Sequence, residues 1–415
     1  MESNKQYDLI VLGPTGYTGR FCADHIVKNF PTNLKWALAG RSLSKLENIA
    51  KELKNVNPDR ADPVDLLPVQ LNREELHPLV QKTRVIINCV GPYCLYSTPV
   101  IEACASNGTH YVDATGETHW VKEIISEYHE TAKANGAVII PCVGIESAPA
   151  DLLAWATVKR VREDLSCHTR SITGDIHEIK SSGASGGTLS TVLTFFENVP
   201  PSEMRKISTP FALAAAPPPK DIPREPLWTR LLGIRSVRDL GILTTSPSGL
   251  ADITTVHRSS TLMPEFYGPR FYFRQFLRAR NAFTGILWHY AFLFAVTALL
   301  LPPIRTLVRK YIYTPGTGPT LEDSVNDFVE YRAVATADQD TAKPQRVLGK
   351  LRYQGTMYEF TGLSLAEAAM TIIENEEKVK KVSRCGIVTT ATLGQEFIDR
   401  WDKVGCHIET QVVDN

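Results

Sequence analysis

Apolar and polar positions alternate in blocks over residues 7–150. Short apolar runs end near glycine or proline, as in YDLIVLG, LKWALAG, RVIINCVG and GAVIIPCVG. Continuous apolar runs of this length are typical of strands buried on both faces of a parallel sheet. Amphipathic segments between the runs predict helices at 18–29, 42–55, 98–107 and 118–135. This order predicts an α/β fold in which residues 1–150 form a domain with a doubly wound parallel sheet.

The pattern loosens after residue 150. APADLLAWATVKRVRE predicts a helix, HTRSITGDIHEIKSSGASGGT a strand and loop, and the Pro/Ala-rich residues 208–226 an exposed loop. VEYRAVATAD and QRVLGKLRYQGTMYEFTG predict antiparallel strands, and SLAEAAMTIIEN and LGQEFIDRWDKVG predict helices. We expect residues 151–380 to form a second, α+β domain that contains an antiparallel sheet and binds the substrate.

Composition narrows the class of protein further. The chain has 415 residues, 43% of them hydrophobic, and a formal net charge of zero, which argues against a nucleic-acid partner. The eight cysteines are scattered without a CxxC pair, which favours reduced thiols in a cytosolic compartment. The first residues, MESNKQYDLI, are polar and then strand-like, so no secretory signal is expected.

Three glycines, Gly13, Gly16 and Gly19, follow the first predicted strand in VLGPTGYTGR. In a dinucleotide site, the first glycine permits a sharp turn, the second lets the backbone approach the pyrophosphate, and the third allows close packing of helix and sheet. The pyrophosphate binds the positive N-terminus of the helix. A turn without a ligand stays open as the alternative for the motif alone. The predicted cofactor loop therefore consists of Gly13, Thr15, Gly16, Tyr17, Thr18 and Gly19.

The end of the second strand indicates which dinucleotide binds. NAD sites place an acidic residue about 20 residues after the glycines, to hold the ribose diol. Arg41 and Ser42 occupy this position, and no acidic residue occurs between Asp24 and Glu47. A guanidinium and a hydroxyl suit a 2′-phosphate, so NADP(H) is favoured over NAD(H), which stays open. The alternative is that Arg41 caps a surface loop.

Further site residues are expected where the third and fourth strands end. Gly91 and Pro92 turn the chain across the edge of the sheet where ligands bind in open α/β folds. The candidate proton donors are those that the sequence places at this edge: Tyr93, Asp113, Glu117 and His119. Each of these has a structural role as its alternative. No Y-x-x-x-K, H-x-x-x-H or paired-cysteine motif occurs, so no metal is expected.

These segments together resemble the saccharopine dehydrogenase-like oxidoreductases. The resemblance lies in GPTGYTGR, AGRSLSKL, VIINCVGPY, ACASNGTHYVDATGE, GIESAPADLL, SGASGGTLST, LSLAEAAMTII and GIVTTATLGQEFIDRWDKVG. It implies that residues 1–150 form a Rossmann dinucleotide-binding domain, that the second domain is built on an antiparallel sheet, and that the chemistry is NAD(P)-linked. It also implies a C-terminal unit, residues 381–415, whose helix packs back near the Rossmann domain. A close branch is similar to trans-acting enoyl reductases and lipid-droplet-associated members.

The resemblance also carries over a site at Ser185 to Thr188, in SGGT, where glycines before a helix bring backbone donors towards a substrate. A plain helix start is the alternative. The lysine-pathway substrate is not assigned, because the second domain shows no obvious arginine cluster before residue 260 to bind that polyanion.

An apolar segment interrupts the second domain at 282–301, within a stretch of about 266–321 that has no acidic residue. The basic residues of this stretch are Arg270, Arg274, Arg278, Arg280, Arg305, Arg309 and Lys310. A buried core helix is the alternative. A span is disfavoured because bases flank both sides. We expect the segment to insert into one leaflet, with the bases on anionic headgroups.

The leading hypothesis is an NADP(H)-dependent reductase of a small lipophilic enoyl, keto or imine substrate. It would act on the cytoplasmic side of a membrane or lipid droplet, and a homo-oligomer stays open. The rival is a catalytically silent, NADP-binding scaffold or partner protein at the membrane. The lack of a recognisable proton donor favours the rival, and the retention of every loop glycine counts against it.

Overall fold

A computed structural model describes residues 5–57, 64–183, 185–222, 225–311, 317–320 and 322–414. Parts of several predicted segments lie outside these ranges: the first four residues, residue 184 of the SGASGGT segment, residues 223–224 of the predicted loop, and residues 312–316 and 321 of the acid-free stretch.

The described chain alternates strands and helices in its first third and mixes them more irregularly afterwards. In chain order the strands are β1 (Tyr7–Leu12), β2 (Trp36–Gly40), β3 (Asp65–Pro68), β4 (Thr83–Asn88), β5 (His110–Asp113), β6 (Val138–Ile140), β7 (Thr169–Lys180), β8 (Arg235–Val237), β9 (Gly241–Thr244), β10 (Tyr272–Ala279), β11 (Phe328–Ala337), β12 (Arg346–Gln354), β13 (Gly386–Ile387) and β14 (Cys406–Val413). The helices are α1 (Tyr17–Asn29), α2 (Leu43–Val56), α3 (Arg73–Gln81), α4 (Tyr93–Tyr96), α5 (Thr98–Asn107), α6 (Thr118–Ala134), α7 (Ala148–Leu165), α8 (Gly186–Asn198), α9 (Pro201–Ile207), α10 (Leu227–Leu232), α11 (Gly249–Leu262), α12 (Pro264–Tyr267), α13 (Ala282–Leu299), α14 (Pro302–Arg309), α15 (Met357–Glu374), α16 (Glu376–Ser383) and α17 (Gly394–Lys403).

The first sheet is parallel throughout and has the order β13-β6-β5-β4-β1-β2-β3. Its central strands are buried on both faces, which explains why their sequences are apolar without alternation. The register aligns Leu12 of β1 with Asn88 of β4 and Asp113 of β5, so the three strands end at one level. The loops that follow them therefore start side by side. The predicted α/β fold with a doubly wound parallel sheet is confirmed.

The second sheet has seven strands in the order β14-β12-β11-β7-β10-β9-β8. It is antiparallel except where β10 runs parallel to β7. Helices α7 and α11 pack on this sheet. The predicted antiparallel pair is present as β11 and β12, but the strand prediction over QRVLGKLRYQGTMYEFTG extends too far. The strand ends at Gln354, and Thr356 then caps α15 by accepting a hydrogen bond from the backbone N–H of Glu359.

The chain returns to the first sheet near its C-terminal end. Strand β13 pairs with β6, and α15 packs against α1, β4 and β5. Helix α17 joins them through the buried carboxylate of Glu367, which binds His25 Nε2 of α1 at 2.7 Å and Arg400 Nε of α17 at 2.6 Å. Segments beyond residue 357 thus cover the first sheet, and β14 extends the second. The predicted second domain, residues 151–380, does not include the return of α15 to the first sheet. The return of a C-terminal unit, residues 381–415, was expected from the resemblance.

Candidate active site

One cavity of about 1000 Å³ opens between the carboxyl edge of the first sheet and helices α8, α13 and α15. One part of its wall comes from the loops of the first sheet and from the start of α2. The opposite part comes from the other chain segments and is largely apolar. Both parts line a single space, so a cofactor on the first part would meet a substrate on the second.

The glycine loop forms one end of this cavity. Gly13 has φ 81°, in the left-handed region, and a Cβ there would lie 2.6 Å from the side chain of Val90. A Cβ on Gly19 would lie 2.4 Å from the carbonyl oxygen of Gly13, so a side chain there would push α1 away from the sheet. At Gly16 a Cβ meets only backbone oxygens, at 3.5 and 3.6 Å. A larger side chain at Gly16 would instead project into the cavity over the start of α1.

The start of α1 offers donors to an anion. Gly16 is its N-cap and has no side-chain capping bond, and the first turn carries no acidic residue. Thr15, Tyr17 and Thr18 line the cavity beside it. The Tyr17 hydroxyl donates to the carbonyl oxygen of Pro319 at 2.5 Å, which links the glycine loop to the segment around residue 319. Backbone N–H groups at a helix N-terminus are a general anion site, so this end of the cavity suits a pyrophosphate.

Two cations stand at the end of β2. Arg41 lines the cavity as predicted, and Lys45, one helical turn further along, lines it too. Ser42 instead caps α2, where its side chain accepts from the backbone N–H of Lys45 at 3.5 Å. The ligand role predicted for Ser42 stays a prediction. Two cations and no carboxylate at this position fit a ribose 2′-phosphate. The sequence signal for Lys45 was its spacing of four residues from Arg41 on a helix that begins there.

Tyr93 begins the short helix α4 after the turn at Gly91 and Pro92. Gly91 and Tyr93 line the cavity. The Tyr93 hydroxyl donates to the carbonyl oxygen of Asn88 and accepts from the backbone N–H of Ala114, both at 3.4 Å, and its ring stacks on Trp120. Burial, followed by the nearby charge of Asp113, raises the pKa of Tyr93 well above its usual value. Its phenol therefore stays protonated near neutral pH.

Glu117 and Asp113 are bound to backbone groups. The Glu117 carboxylate accepts from the backbone N–H of Tyr93 at 2.7 Å and of Cys94 at 2.9 Å. Asp113 accepts from the Tyr111 hydroxyl and from the backbone N–H groups of Thr115 and Cys142, and burial raises the pKa of Asp113 to about 7. These bonds fix the ends of β4, β5 and β6. The geometry thus gives both carboxyls a role in shaping the site.

His119 lies beside Glu117 but its ring packs against Phe195 of α8, with 5.4 Å between ring centroids. Cys94, Glu117 and His119 have potential ligand atoms within 4.8 Å of one another, the one such group among the described residues. Burial raises the pKa of Cys94 to about 12 and lowers the pKa of His119. A protonated thiol and a carboxylate already bound to two N–H groups make a poor metal site, and we assign none.

Glu146 is a cavity residue that the sequence analysis missed. It follows β6 in the GIESAPADLL segment, and a Cβ added to Gly116 would lie 2.5 Å from its Oε2 atom. The side chain is exposed to the cavity, and desolvation by the surrounding protein raises the pKa of Glu146. Asp252 and the Tyr331 hydroxyl lie near it on the second domain. The family pattern contained Glu146, but no local motif marked it.

The predicted SGGT site lies in the cavity wall, and it has a partner that the sequence did not indicate. Tyr358, at the start of α15, accepts from the backbone N–H of Ser185 at 2.5 Å and lies 3.0 Å from Thr188 Oγ1. Its ring meets the ring of Tyr17 edge-on at 5.0 Å. Tyr358 therefore connects the cofactor loop to the N-terminus of α8. Ser185 also caps α8.

The cofactor end of the cavity yields the first testable prediction. Arg41→Ala should weaken NADPH binding about tenfold, since a charge-assisted contact contributes about 1.5–3 kcal/mol, and should leave NADH binding within about twofold. Lys45→Ala should do the same. Titrations that follow nicotinamide fluorescence measure both, and Lys51→Ala, on an exposed turn of α2, is the matched control. Equal losses for NADPH and NADH would contradict the assignment of these cations to a 2′-phosphate.

Comparison with known proteins gives the same result for the cofactor. Residues 9–140 match the family described as the saccharopine dehydrogenase NADP binding domain. Over its length the chain is similar to the trans-acting enoyl reductase of Mycobacterium leprae (strain TN), with 26% identity over 98% of both chains. It is also similar to the trans-acting enoyl reductase of Mycobacterium tuberculosis (strain ATCC 25618 / H37Rv), with 25% identity over 97% of both.

A solved structure shares the fold. It is apo saccharopine dehydrogenase (L-Glu forming) from Saccharomyces cerevisiae, with a TM-score of 0.60 and 10% identity, over 98% of this chain and 100% of that one. The resemblance stated from the sequence is confirmed, as is the preference for NADP(H). Residues 9–140 therefore carry a saccharopine dehydrogenase NADP binding domain, and the chain over its length is similar to relatives named trans-acting enoyl reductase.

Proposed function

We propose that this protein is an NADPH-dependent reductase of a lipophilic enoyl substrate, that is, one with a carbon–carbon double bond next to a carbonyl. The observation that carries the proposal is the single cavity, which joins the glycine loop and Arg41 to an apolar wall on α8 and α13. The names of the mycobacterial relatives support an enoyl acceptor over the keto and imine alternatives. Apolar walls with few polar groups are typical of sites for apolar ligands.

Different residues of the cavity bind different parts of the cofactor and the substrate. The glycine loop and the N-terminus of α1 hold the pyrophosphate, and Arg41 and Lys45 hold the 2′-phosphate. When bound, NADPH supplies a hydride from C4 of its nicotinamide. The apolar wall orients the double bond and excludes water. Reduction adds the hydride to the β-carbon and a proton to the α-carbon, so the protein must provide an acid.

Glu146 is the acid that we assign to this role. Glu146 is exposed to the cavity with its Oε2 atom beside Gly116, and desolvation by the surrounding protein raises its pKa, which favours the protonated carboxyl. Glu117 also lines the cavity, but both of its carboxylate oxygens already accept backbone N–H groups at the start of α4. The phenol of Tyr93 donates to a backbone carbonyl and is less free to deliver its proton. A positioned acid contributes about 10²–10⁴-fold to such a rate.

Glu146→Gln should lower the rate of NADPH oxidation at least about 100-fold, because the amide cannot replace the acid. NADPH affinity should stay within about twofold. The assay follows NADPH absorbance with a panel of long-chain enoyl thioesters, and Glu123→Gln on α6, outside the cavity, is the control. Binding of NADPH without oxidation by any member of the panel would favour the scaffold alternative instead. Full activity in Glu146→Gln would leave the reductase standing and remove Glu146 as its acid.

We also propose that the protein works at the surface of a membrane or lipid droplet, on the cytoplasmic side. Ala282–Leu299 is long and apolar enough to cross a membrane by length and composition, and few of its side chains are buried. Phe283 and Phe294 are about three-quarters exposed, and the neighbouring helix α10 exposes Leu227 and Trp228. An apolar patch of this kind, rimmed by cations, is typical of an interaction surface.

The other side of α13 packs on the protein, which supports insertion into one leaflet over a span. Trp288 Nε1 donates to the carbonyl oxygen of Thr245 at 2.9 Å, and the Tyr290 hydroxyl donates to Leu231 at 3.0 Å. Gly285 and His289 are buried against the second sheet. The first half of α13, which these contacts hold, therefore offers only its outer face to lipid.

The basic rim differs from the expectation. Most of its members hold partners in the protein: Arg270 binds Asp338, Arg274 binds Glu225, Arg278 binds His177, and Arg305 and Arg309 bind Glu197. Arg280 and Lys310 are exposed without a partner among the described residues. Each free cation near an anionic surface contributes about 1 kcal/mol. Apolar contact, not charge, therefore carries most of the proposed attachment.

The outer face of α13 provides the test of this attachment. The double variant Leu287→Asp, Phe294→Asp should lower the vesicle-bound fraction about tenfold in flotation with anionic vesicles, because two exposed apolar side chains are lost to charge. Val382→Asp, at an exposed apolar position on α16, should bind like the wild type. Proteases should reach both ends of α13 from the same side of the membrane. Cleavage of the two ends from opposite sides would reject insertion into one leaflet.

A further inference from the structure

Part of the wall of the cavity comes from two helices that also reach the surface, α8 and α13. Val192, Phe195 and Phe196 of α8 and Phe292, Val296 and Leu299 of α13 line it. We call these six side chains the mouth. On α13 the three residues recur at i, i+4 and i+7, so they form one helical stripe. The opposite side of the same helix carries the exposed Leu287 and Phe294, and Leu293, which lies between the two sides, is also exposed.

This position is unusual for a helix in a globular protein. A core helix hides its apolar stripe, and a surface helix exposes a polar face. Helix α13 has apolar residues all round: one face packs on the protein at Gly285 and His289 and lines the cavity further along, and the opposite face is exposed. An acyl chain can therefore move from an apolar phase at the outer face of α13, through the mouth and into the cavity, without crossing a polar surface. That continuity identifies the occupant as the acyl chain of a lipid.

The mouth is held at one end by ion pairs. Arg309 of α14 donates to both carboxylate oxygens of Glu197, at 2.7 and 2.9 Å, and Glu197 lies at the C-terminal end of α8. Arg305 lies 3.9 Å from the same carboxylate and donates to the carbonyl oxygens of Leu299 and Leu300. Thus α14 ties the end of α13 to the end of α8. We call the contact of Glu197 with Arg305 and Arg309 the latch.

The latch is suited to opening at an anionic surface. Arg309 is 58% exposed, so its ion pair is screened and weak. A lipid phosphate is a comparable bidentate acceptor for a guanidinium and can replace Glu197 at little net cost. Exposed Leu300, Leu301 and Leu307 surround the latch, so the side of the protein that bears it is also apolar. Contact with anionic lipid would therefore replace Glu197 by a lipid phosphate as the partner of Arg309, at the place where the acyl chain enters.

We propose that the mouth is a lateral gate through which a long acyl chain enters the cavity from a lipid surface, and that the latch closes it. This proposal rests on the proposed function, since the acyl chain is that of the lipophilic substrate. It assigns the substrate a single extended chain, with its reactive end towards the glycine loop and its tail at the mouth.

The gate can be tested with cis-parinaric acid, a long-chain fatty acid that fluoresces in apolar surroundings. Val296→Trp fills the mouth and should weaken binding of the probe at least about tenfold, because a larger side chain in a packed wall displaces its neighbours. Phe294→Trp, two residues away on the exposed side, should stay within about twofold. Ala295→Trp, which also lines the cavity from an exposed position, is a second blocking variant. Unchanged NADPH affinity in each variant shows that the fold is intact.

The latch is tested by the rate of probe uptake. Glu197→Gln should take up the probe several times faster than the wild type, because the carboxylate that holds Arg309 is gone. Vesicles with phosphatidylserine should speed the wild type by a similar factor, and vesicles of phosphatidylcholine alone should not. Equal affinities for Val296→Trp, Ala295→Trp and the wild type would overturn the gate. Equal rates for Glu197→Gln and the wild type would overturn the latch. A protein that binds the probe through the mouth but never oxidises NADPH would leave the gate standing and reject the reductase.

Discussion

The hydrogen-bond register of three parallel strands decides where the chemistry can occur. Leu12, Asn88 and Asp113 lie level across β1, β4 and β5, so the loops after them start from one line. Gly19 lets α1 approach that line closely, since a Cβ there would collide with the carbonyl of Gly13. A register shift of one residue would turn the side chains of a strand to the other face and separate the loops. The cofactor loop, the turn at Gly91 and the hydrogen bonds from the start of α4 to Glu117 all depend on this alignment.

Tyr358 joins the second domain to that edge. Its hydroxyl accepts from the start of α8, and its ring meets Tyr17 of the cofactor loop. The same helix, α15, lies against α1 and is tied to α17 through Glu367. Helix α8 is thereby held over the edge of the sheet. The apolar wall faces the glycine loop because these contacts fix both to one framework.

The sequence predicted the parts of the site that are local. Gly13, Gly16 and Gly19 lie within one turn, and Arg41 follows a strand at a fixed distance, so pattern alone located them. Glu146 and Tyr358 reach the cavity through tertiary contacts from segments without a motif of their own. For the same reason, the sequence suggested more unpaired cations in the basic rim than the structure shows. Its acidic partners, Glu197, Glu225 and Asp338, come from remote parts of the chain that composition within a window does not include.

The fold shows the same difference between local features, which the sequence predicts, and tertiary contacts, which it does not predict. Buried parallel strands have a pattern that needs no partner to be recognised, and the first sheet followed from it. Alternation of polar and apolar residues along one strand does not indicate which strand it pairs with. It therefore could not predict that β10 pairs in parallel with β7 or that β14 joins the sheet beside β12. Strand β13 is two residues long and carries too little pattern to predict. Helix α13 was recognised as apolar, but its position on the wall of the cavity appeared only in three dimensions.

The central claim is that the glycine loop and the apolar wall serve one reaction in one cavity. Its most direct test is transfer of deuterium from NADPH labelled at C4 of the nicotinamide to a long-chain enoyl thioester, followed by mass spectrometry of the lipid. We expect the label at the β-carbon of the reduced lipid with the wild type, and none with Gly16→Val, whose side chain occupies the pyrophosphate position. A protein that binds both NADPH and the lipid but transfers no label to it would contradict the claim.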